Sequence, residues 1–121
     1  MTRITHDPRA NNRPDLAAHL HDLHAALIEQ RRFRADQLAE LTKAPHSVED
    51  DDALEQVTVA LQVGASTALA DIGAALGRIK NGQYGRCERC DDAISLERLE
   101  ILPAAALCMP CQQRAERSAE G

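Results

Sequence analysis

Four cysteines in two Cys-x-x-Cys pairs constrain this chain more than any other feature of its 121 residues. The pairs are Cys87 with Cys90 and Cys108 with Cys111, and seventeen residues separate them. A two-residue spacing lets one tight turn present both sulfurs to a single ion, and the intervening segment is long enough to bring the second pair alongside the first. The spacing therefore predicts a tetrahedral Zn²⁺ site with four thiolate ligands.

Two other uses of the cysteines stay open at this point. Two disulfides would require an oxidising compartment, and we expect none because the sequence shows no pattern typical of a secretory signal. A redox-active Cys-x-x-Cys normally lies at the start of a helix that follows a strand, with no second pair nearby. A catalytic zinc usually keeps one coordination position open, whereas four thiolates fill every position, so we expect a closed structural site.

Charge and composition argue against several classes of protein. The formal net charge is −5, and such an acidic chain lacks the basic surface that duplex binding requires, so we expect no direct sequence-specific DNA binding. No apolar run approaches the roughly 20 residues that span a bilayer, so we expect a soluble, cytoplasmic protein with no membrane partner. No nucleophile–base pair or open metal site is recognisable, so we do not expect an enzyme.

Two long helices are predicted before the cysteines. The first covers residues 14–43, where Pro14 suits the first helical position and Asp15 the first turn. Its apolar residues recur in steps of three and four at Leu16, Leu20, Leu23 and Leu27, and the pattern resumes at Leu38 and Leu41. The second helix runs from about Val48 to Lys80, and its apolar seam is Leu54, Val57, Leu61, Ala65, Ala68, Ile72, Leu76 and Ile79. Because only a short breaker at 44–46 separates the two, they should pack as antiparallel neighbours.

The predicted fold is mainly α, with three parts. Residues 1–13 form a flexible N-terminal tail, residues 14–81 a long antiparallel coiled-coil hairpin, and residues 82–121 a zinc-finger module with a short terminal helix over Met109–Ala119. Small residues of the second helix, among them Gly64, Gly73 and Gly77, should let the two backbones approach closely. Two helices of an ordinary globular bundle remain the alternative if the protein self-associates.

The zinc module should contain a small apolar core. Lys80, Asn81 and Gly82 form a typical helix end before it, and Gly85 permits a tight approach beside Tyr84. The core residues are expected to be Ile94, Leu96, Leu99, Ile101 and Leu102. Arg98 is interpreted as an ion-pair partner of Glu88, Glu97 or a hairpin carboxylate. A module this small buries too little surface to fold alone, so zinc binding should contribute on the order of 10 kcal/mol or more.

The hairpin has an acidic tip around residues 44–53. Its carboxylates are Glu49, Asp50, Asp51 and Asp52, followed by Ala53. Such a run is often a solvated helix start that favours the helix dipole, and Ser47 with Asp50 resembles a capping box. At the end of a rigid rod, however, the same carboxylates are well placed to enter a narrow site and contact basic groups or a metal ion.

The cysteine segment resembles the DksA/TraR family of bacterial zinc-finger transcription regulators. The resemblance covers a segment of about thirty residues and rests on eleven positions: Gly82, Tyr84, Gly85, Cys87, Cys90, Ile94, Arg98, Leu99, Pro103, Cys108 and Cys111. One departure is Asp91, where the family usually has Gly in a left-handed turn. Asp tolerates that backbone conformation better than most residues, so zinc binding is still expected.

The resemblance implies a partner and a working end. Members of the family bind RNA polymerase and insert the coiled-coil tip, with an Asp-x-x-Asp-x-Ala motif, into its secondary channel. Asp51 and Ala53 align with the second Asp and the Ala, whereas Val48 takes the place of the first Asp, for which Asp50 or Asp52 could substitute. Members that respond to guanosine tetraphosphate carry basic residues where this chain has Leu102 and Gln112, so we expect no such binding here.

Two functions are therefore considered. The first is a non-enzymatic regulator of RNA polymerase with a structural zinc. The second is an adaptor whose zinc thiolates respond to oxidation while the hairpin binds some other partner. His21 and His24 share a helix face, but no carboxylate or cysteine completes a metal site there, so we expect a solvated surface.

Overall fold

The computed structural model of the chain describes residues 13–43 and 52–120, which contain four α-helices. The helices are α1 over Pro14–Lys43, α2 over Asp52–Lys80, α3 over Leu96–Ile101 and α4 over Met109–Glu120. Leu16 of α1 lies near Ile79 of α2, while Gln62 of α2 donates to the carbonyl oxygen of Leu41 at 3.4 Å. The two long helices are therefore antiparallel, and the predicted hairpin with a small four-cysteine module is confirmed.

Local signals account for the helix ends near the zinc module. Pro14 occupies the first position of α1, and the carbonyl oxygen of Arg13 accepts from Ala17 N–H at 2.8 Å. At the other end α2 stops at Lys80, and Gly82 follows with a φ of +75°, which is readily adopted only by glycine. The carbonyl oxygen of Arg78 then accepts from Gln83 N–H at 2.8 Å, which closes the helix.

The buried core lies at the zinc end of the hairpin. Its hairpin members are Leu16, Leu23, Leu27, Ile72 and Ala75, and it continues without interruption into Tyr84, Cys87, Ile94, Leu99 and Cys111 of the module. Leu27 and Leu99 are fully buried. The hairpin and the module therefore share one core and stabilise each other.

The other half of the predicted seam is not buried. Leu54, Val57 and Leu61 are exposed, while Leu38 and Leu41 of α1 are only partly covered. Leu41, close to the end of α1, lies at the level of Gln62, so Leu54 and Val57 lie beyond the last residue of α1. The expectation that α1 covers the apolar residues of α2 is therefore wrong at Leu54, Val57 and Leu61.

The glycines of α2 do not serve the contact with α1. A Cβ placed on Gly64, Gly73 or Gly77 would have no heavy atom within 4 Å beyond the adjoining backbone. The prediction that they bring the two helix backbones together was therefore wrong. Each glycine still destabilises the helix by roughly 0.5–1 kcal/mol relative to alanine.

One helix among the described residues, Asp52–Lys80, is long and apolar enough by length and composition to cross a bilayer. This corrects the expectation that no run approaches such a span, since the many alanines and valines of α2 raise its mean hydropathy. A single such helix is weak evidence for a span, because core helices of soluble proteins have the same character. Little of α2 is buried within the chain, however, which leaves an apolar surface to be explained.

Some predictions fall on residues that the structure does not describe. They are residues 1–12 of the flexible tail predicted over 1–13, and the loop 44–51, with the capping box of Ser47 and Asp50 and the carboxylates of Glu49 and Asp51. Arg13, the last residue of the predicted tail, is described and hydrogen-bonds to the module, so the prediction of a flexible tail was wrong there. Of the predicted tip, Asp52 and Ala53 are described, and both are exposed in the first turn of α2.

Candidate metal centre

The first Cys-x-x-Cys pair lies in a tight turn that follows α2. Asp91 N–H donates to the carbonyl oxygen of Cys87 at 2.9 Å, and Cys87 N–H donates to that of Asp92 at 2.7 Å. Asp91 has φ of +71°, so the predicted left-handed residue is confirmed, and its carboxylate pairs with Arg86. The turn directs both sulfurs of the pair to the same side.

The second pair lies at the start of α4. Cys108 immediately precedes the helix, and Cys111 sits in its first turn, where Gln112 N–H donates to the carbonyl oxygen of Cys108 at 2.9 Å. Glu88 N–H, inside the first pair, donates to the carbonyl oxygen of Ala106 at 2.8 Å. This hydrogen bond joins the two turns and sets the distance between the pairs.

The four sulfurs converge on one point. The Sγ atoms of Cys87, Cys90, Cys108 and Cys111 all lie within 4.8 Å of one another, and those of Cys90 and Cys108 are 3.6 Å apart. Tetrahedral Zn²⁺ with Zn–S distances of about 2.3 Å places its sulfurs about 3.8 Å apart. The cluster therefore fits one zinc ion, whereas a disulfide requires a separation of about 2.05 Å. All four cysteines are free thiols in this structure.

The surroundings of the thiols differ in ways that suit a cation. Burial acts to raise the pKa of Cys87, but backbone N–H groups of Cys108, Cys90 and Arg89 outweigh it and lower that pKa to about 6. Burial, together with the neighbouring sulfurs, raises the pKa of Cys111 to about 12. Four thiolates this close repel one another, so a divalent cation at their centre is what allows all four to ionise.

The residues around the sulfurs form a rigid frame. Burial raises the pKa of Tyr84 to about 12, although Arg78 opposes the shift, and the Tyr84 hydroxyl donates to the carbonyl oxygen of Pro103 at 2.7 Å. Gly85 is buried with φ of +89°, and a Cβ there would lie 2.7 Å from Cδ2 of Leu16. The predicted tight approach at Gly85 is therefore a contact with α1.

A short helix that the sequence analysis did not identify crosses between the two pairs. The Ser95 hydroxyl accepts from Arg98 N–H at 3.1 Å and caps α3. Leu99 and the nearby Ile94 are buried and Leu96 is partly buried, as predicted. Ile101 and Leu102 were expected in the same core, but they are 77% and 50% exposed. A helix of six residues turns one face to the core, and these two positions lie beyond that face.

Arg98 has a different role from the one predicted. Its Nε donates to the carbonyl oxygen of Leu107 at 3.0 Å, and its Nη1 lies 3.7 Å from Sδ of Met109. The side chain therefore holds the segment that leads into the second pair. Glu88, one of its expected partners, pairs instead with Arg78 at 3.3 Å.

Two arginines attach the module to the hairpin, and sequence reasoning missed both. Arg13, at the start of α1, donates through Nη1 to the carbonyl oxygens of Ile94 at 2.8 Å and Gly85 at 3.2 Å. Arg78, near the end of α2, reaches the carbonyl oxygen of Ala105 at 3.3 Å in addition to Glu88. Each long helix thus contributes one guanidinium that binds backbone oxygens of the module.

Replacing Arg13 with alanine should loosen this attachment. The carbonyl oxygens of Gly85 and Ile94 would lose a charged donor, so we expect the zinc-loaded protein to lose about 1–3 kcal/mol of unfolding free energy. Urea denaturation followed by circular dichroism measures the change. Arg31, an exposed arginine of α1, provides the control, because Arg31→Ala should shift stability by no more than about 0.5 kcal/mol. Equal effects of the two variants would contradict the assigned role.

An open groove lies between the hairpin and the module. It has a volume of about 690 Å³, and the uncharged side chains of Leu102 and Gln112 both line it. Arg34, Arg78 and Arg98 line it as well, so the groove is not without cations. Elsewhere His21 and His24 are exposed on α1, and among the described residues only the four cysteines form a group that could hold a metal.

Comparison with known proteins places the cysteine module in a defined family. Residues 82–117 match the prokaryotic dksA/traR C4-type zinc finger. The chain is 39% identical over 71 residues to the RNA polymerase-binding transcription factor DksA of Caulobacter vibrioides. The aligned segment covers 59% of this chain and 48% of that protein. It is 33% identical over 84 residues to an uncharacterized protein of Aquifex aeolicus, covering 67% of this chain and 58% of that protein. The chain thus spans about half the length of the curated relatives it matches.

The fold has a counterpart among solved structures. Transcription factor DksA2 from Pseudomonas aeruginosa superimposes with a TM-score of 0.64, covering 97% of this chain and 95% of that one, at 22% sequence identity. At that identity the likeness shows a shared fold. Together with the C4-type match and the cluster of sulfurs, the comparisons identify one structural Zn²⁺ as the cofactor.

Proposed function

We propose that this chain, which belongs to the DksA/TraR family of C4-type zinc-finger proteins, is a cytoplasmic transcription regulator that binds RNA polymerase. One observation carries the proposal: the family's zinc finger is attached to the base of a long helical hairpin whose far end is acidic. The relative in Caulobacter vibrioides is described as RNA polymerase-binding, and this supports the same partner here. The family consists of transcription factors, so we propose a regulator without catalytic activity.

In this proposal the zinc has a structural role. Cys87, Cys90, Cys108 and Cys111 are its four ligands, and they leave no coordination position for water or substrate. Because the core of the module is continuous with that of the hairpin, the metal also sets the direction in which the hairpin points. The module would then contact the outside of the polymerase while the hairpin extends from it.

The hairpin would provide the reach. The 30 residues of α1 correspond to roughly 45 Å of helix, and α2 is of similar length. We propose that the hairpin enters the secondary channel of the polymerase, with Asp50, Asp51, Asp52 and Ala53 as its working end. Asp52 and Ala53 lie at the start of α2, at the end of the hairpin farthest from the cysteines, and this supports the assignment.

We also propose that this protein does not bind guanosine tetraphosphate in the way that family members responding to that nucleotide do. The positions that would pair with its phosphates are Leu102, which is half-exposed and apolar, and Gln112, which donates to Glu116 at 2.9 Å. Neither side chain carries the positive charge that phosphate recognition requires.

A redox-responsive adaptor is the second candidate, and the exposure of one sulfur site favours it. Cys90 is exposed and Cys108 partly so, whereas Cys87 and Cys111 are buried. An oxidant would therefore reach the zinc thiolates from the Cys90 side and release the metal. Zinc release by dilute hydrogen peroxide within minutes, in a protein that does not bind RNA polymerase, would support this function over the first.

The deciding experiment measures binding of the zinc-loaded protein to RNA polymerase core enzyme, together with its effect on transcription. A tip variant carries Asp50→Asn, Asp51→Asn and Asp52→Asn. The matched control carries Asp22→Asn, Glu29→Gln and Asp36→Asn, which remove the same charge from exposed positions of α1. We expect micromolar or tighter binding by the intact protein, with an effect on transcription that the tip variant loses and the control retains.

Each other outcome has a definite meaning. If the tip variant and the control lost the effect on transcription equally, the effect would depend on the overall charge of the protein and not on the tip. Absence of binding by the intact, zinc-loaded protein would overturn the proposed function and leave the family relationship as one of fold.

A further inference from the structure

The side of α2 that faces away from α1 carries its own seam of apolar and small residues. We call it the outer seam, and it consists of Val59, Val63, Ser66, Ala70, Gly73 and Gly77, in steps of four, three, four, three and four. Val59 and Val63 are 49% and 59% exposed. No charged residue occurs between Glu55 and Asp71. Such a spacing is the heptad pattern by which one helix packs against another.

Ser66 is the one polar member of the outer seam, and its size suits a helix contact. A serine side chain is only one oxygen atom larger than that of alanine, so it occupies little space at a helix contact. Ser66 is exposed, as are its neighbours Val63 and Ala70. The position therefore allows the close approach of a second helix.

Nothing in the described part of the chain approaches the Cβ positions of the two glycines in the outer seam. A Cβ on Gly73 or Gly77 would meet nothing within 4 Å, although both residues lie inside a long helix that they destabilise. An interior glycine usually marks a place where another backbone or side chain approaches closely. For Gly73 and Gly77 no described residue is that neighbour, so we expect it to come from another molecule.

We infer that the outer seam binds a second copy of this chain, with the two α2 helices antiparallel. Under a two-fold axis near residue 68, Val59 of each copy lies opposite Gly77 of the other, and Val63 lies opposite Gly73. Ser66 then faces Ala70. Large residues meet small ones towards both ends of the seam, and two small residues meet beside the axis, so side chains can interdigitate as they do between packed helices.

The charges of α2 fit the same arrangement. Glu55 lies at one end of the uncharged stretch, and exposed Lys80 lies near the other end of the helix. The axis that pairs valines with glycines also places Glu55 of one copy within about one residue of Lys80 of the other. The arrangement also opposes the two helix dipoles, whereas a parallel pair would place like charges together at both ends.

A bilayer fits this surface less well. α1 packs along the inner face of α2, with Leu41 at the level of Gln62, and carries Arg34, Asp36, Glu40 and Lys43 at the level of the uncharged stretch. Inserting α2 would carry these charges into the hydrocarbon, where each is costly. A second helix with the same seam covers the apolar surface and leaves α1 in water.

The dimer should be weak, because a single helix face is narrower than a standard protein–protein interface. Each copy would hold Asp52, the first residue of its α2, near the zinc end of the other. The inference rests on α2 alone and does not depend on RNA polymerase being the partner.

Sedimentation equilibrium of the zinc-loaded full chain tests the inference, over concentrations from about 5 to 500 µM. We expect the mean mass to rise from the 13.2 kDa of one chain towards twice that value. Gly73→Leu should raise the dimer dissociation constant at least about tenfold, because it fills the space that Val63 of the other copy needs. Gly64→Leu is the matched control. A Cβ at Gly64 is equally free of contacts, but the position lies off the outer seam, so this variant should leave the dissociation constant unchanged.

Charge reversal tests the orientation of the two helices. Glu55→Lys and Lys80→Glu should each weaken the dimer, and the double variant should restore it, because reversed charges again face each other. A chain that stays monomeric over the whole concentration range overturns the inference. This holds even if the chain binds vesicles of neutral and anionic phospholipids in a flotation assay. Equal effects of Gly73→Leu and Gly64→Leu, or failure of the double variant to restore association, would overturn it as well.

Discussion

Replacing Cys111 with serine is expected to abolish stoichiometric zinc binding and to unfold the module that follows α2. Cys111 is buried in the first turn of α4, and its sulfur is one of the four that converge. A serine hydroxyl is not ionised near neutral pH and is a poor ligand for zinc, so three thiolates and an open position would remain. Because zinc contributes on the order of 10 kcal/mol or more in small zinc modules, we expect the loss to exceed that of any single substitution outside the four ligands.

Three measurements check this result. Native mass spectrometry should find one zinc ion on the intact chain and none on the variant. Circular dichroism should show a large fall in the unfolding temperature, and limited proteolysis should cut between Gln83 and Cys108, a segment that the metal otherwise protects. A chelator added to the intact protein should reproduce all three changes.

Gln113→Ser is the control for Cys111→Ser. It places serine at an exposed position of the same helix and leaves every sulfur in place, so zinc content and stability should stay at their original values. If Cys111→Ser kept one tightly bound zinc ion and its unfolding temperature, the four-ligand site would be wrong.

The zinc site was predictable because its information is local in sequence. Each Cys-x-x-Cys pair encodes its own turn, and the left-handed residue at Asp91 follows from the same turn. The two long helices were predictable for a similar reason, since caps and periodicity are read from neighbouring residues. Neither inference requires knowledge of what lies across the fold.

The attachment of the module to the hairpin could not be predicted in this way. Arg13 reaches Ile94 across 81 positions of sequence, and it binds a backbone oxygen, which every residue possesses. No pattern of residue types marks such a pairing. The same limit explains Arg98, whose partner is the carbonyl oxygen of Leu107 rather than a carboxylate.

The buried face of α2 was only partly predictable because α2 carries apolar or small residues on more than one side. Its spacing of three and four recurs through Leu61, Ala65 and Ile72 and again through the outer seam. Periodicity identifies both faces but cannot say which is covered, or by what. The structure shows that α1 covers the inner face at the zinc end and leaves Leu54, Val57 and Leu61 exposed.

Replacing Gly85 with alanine is expected to destabilise the zinc-loaded protein by about 2–4 kcal/mol, through two separate causes. The φ of +89° is rarely adopted by residues with a Cβ, which accounts for about 1–3 kcal/mol. In addition, the new Cβ would lie 2.7 Å from Cδ2 of Leu16 and 3.1 Å from Nη1 of Arg13. Leu16 is buried in the shared core, so it can move away only by disturbing the packing of α1.

Gly82→Ala separates the two causes, because Gly82 also has a positive φ, +75°, but has open space around it. The loss of unfolding free energy in Gly82→Ala should reflect backbone strain alone. It should be smaller than the loss in Gly85→Ala by about 1 kcal/mol or more. The steric part should appear as coupling with Leu16: in the double variant Gly85→Ala with Leu16→Ala, the loss of unfolding free energy should be less than the sum of the two single losses. Urea denaturation of the four variants provides these values. Equal losses for the two glycine variants, with additive behaviour in the double variant, would show that the module does not press on α1 at Gly85.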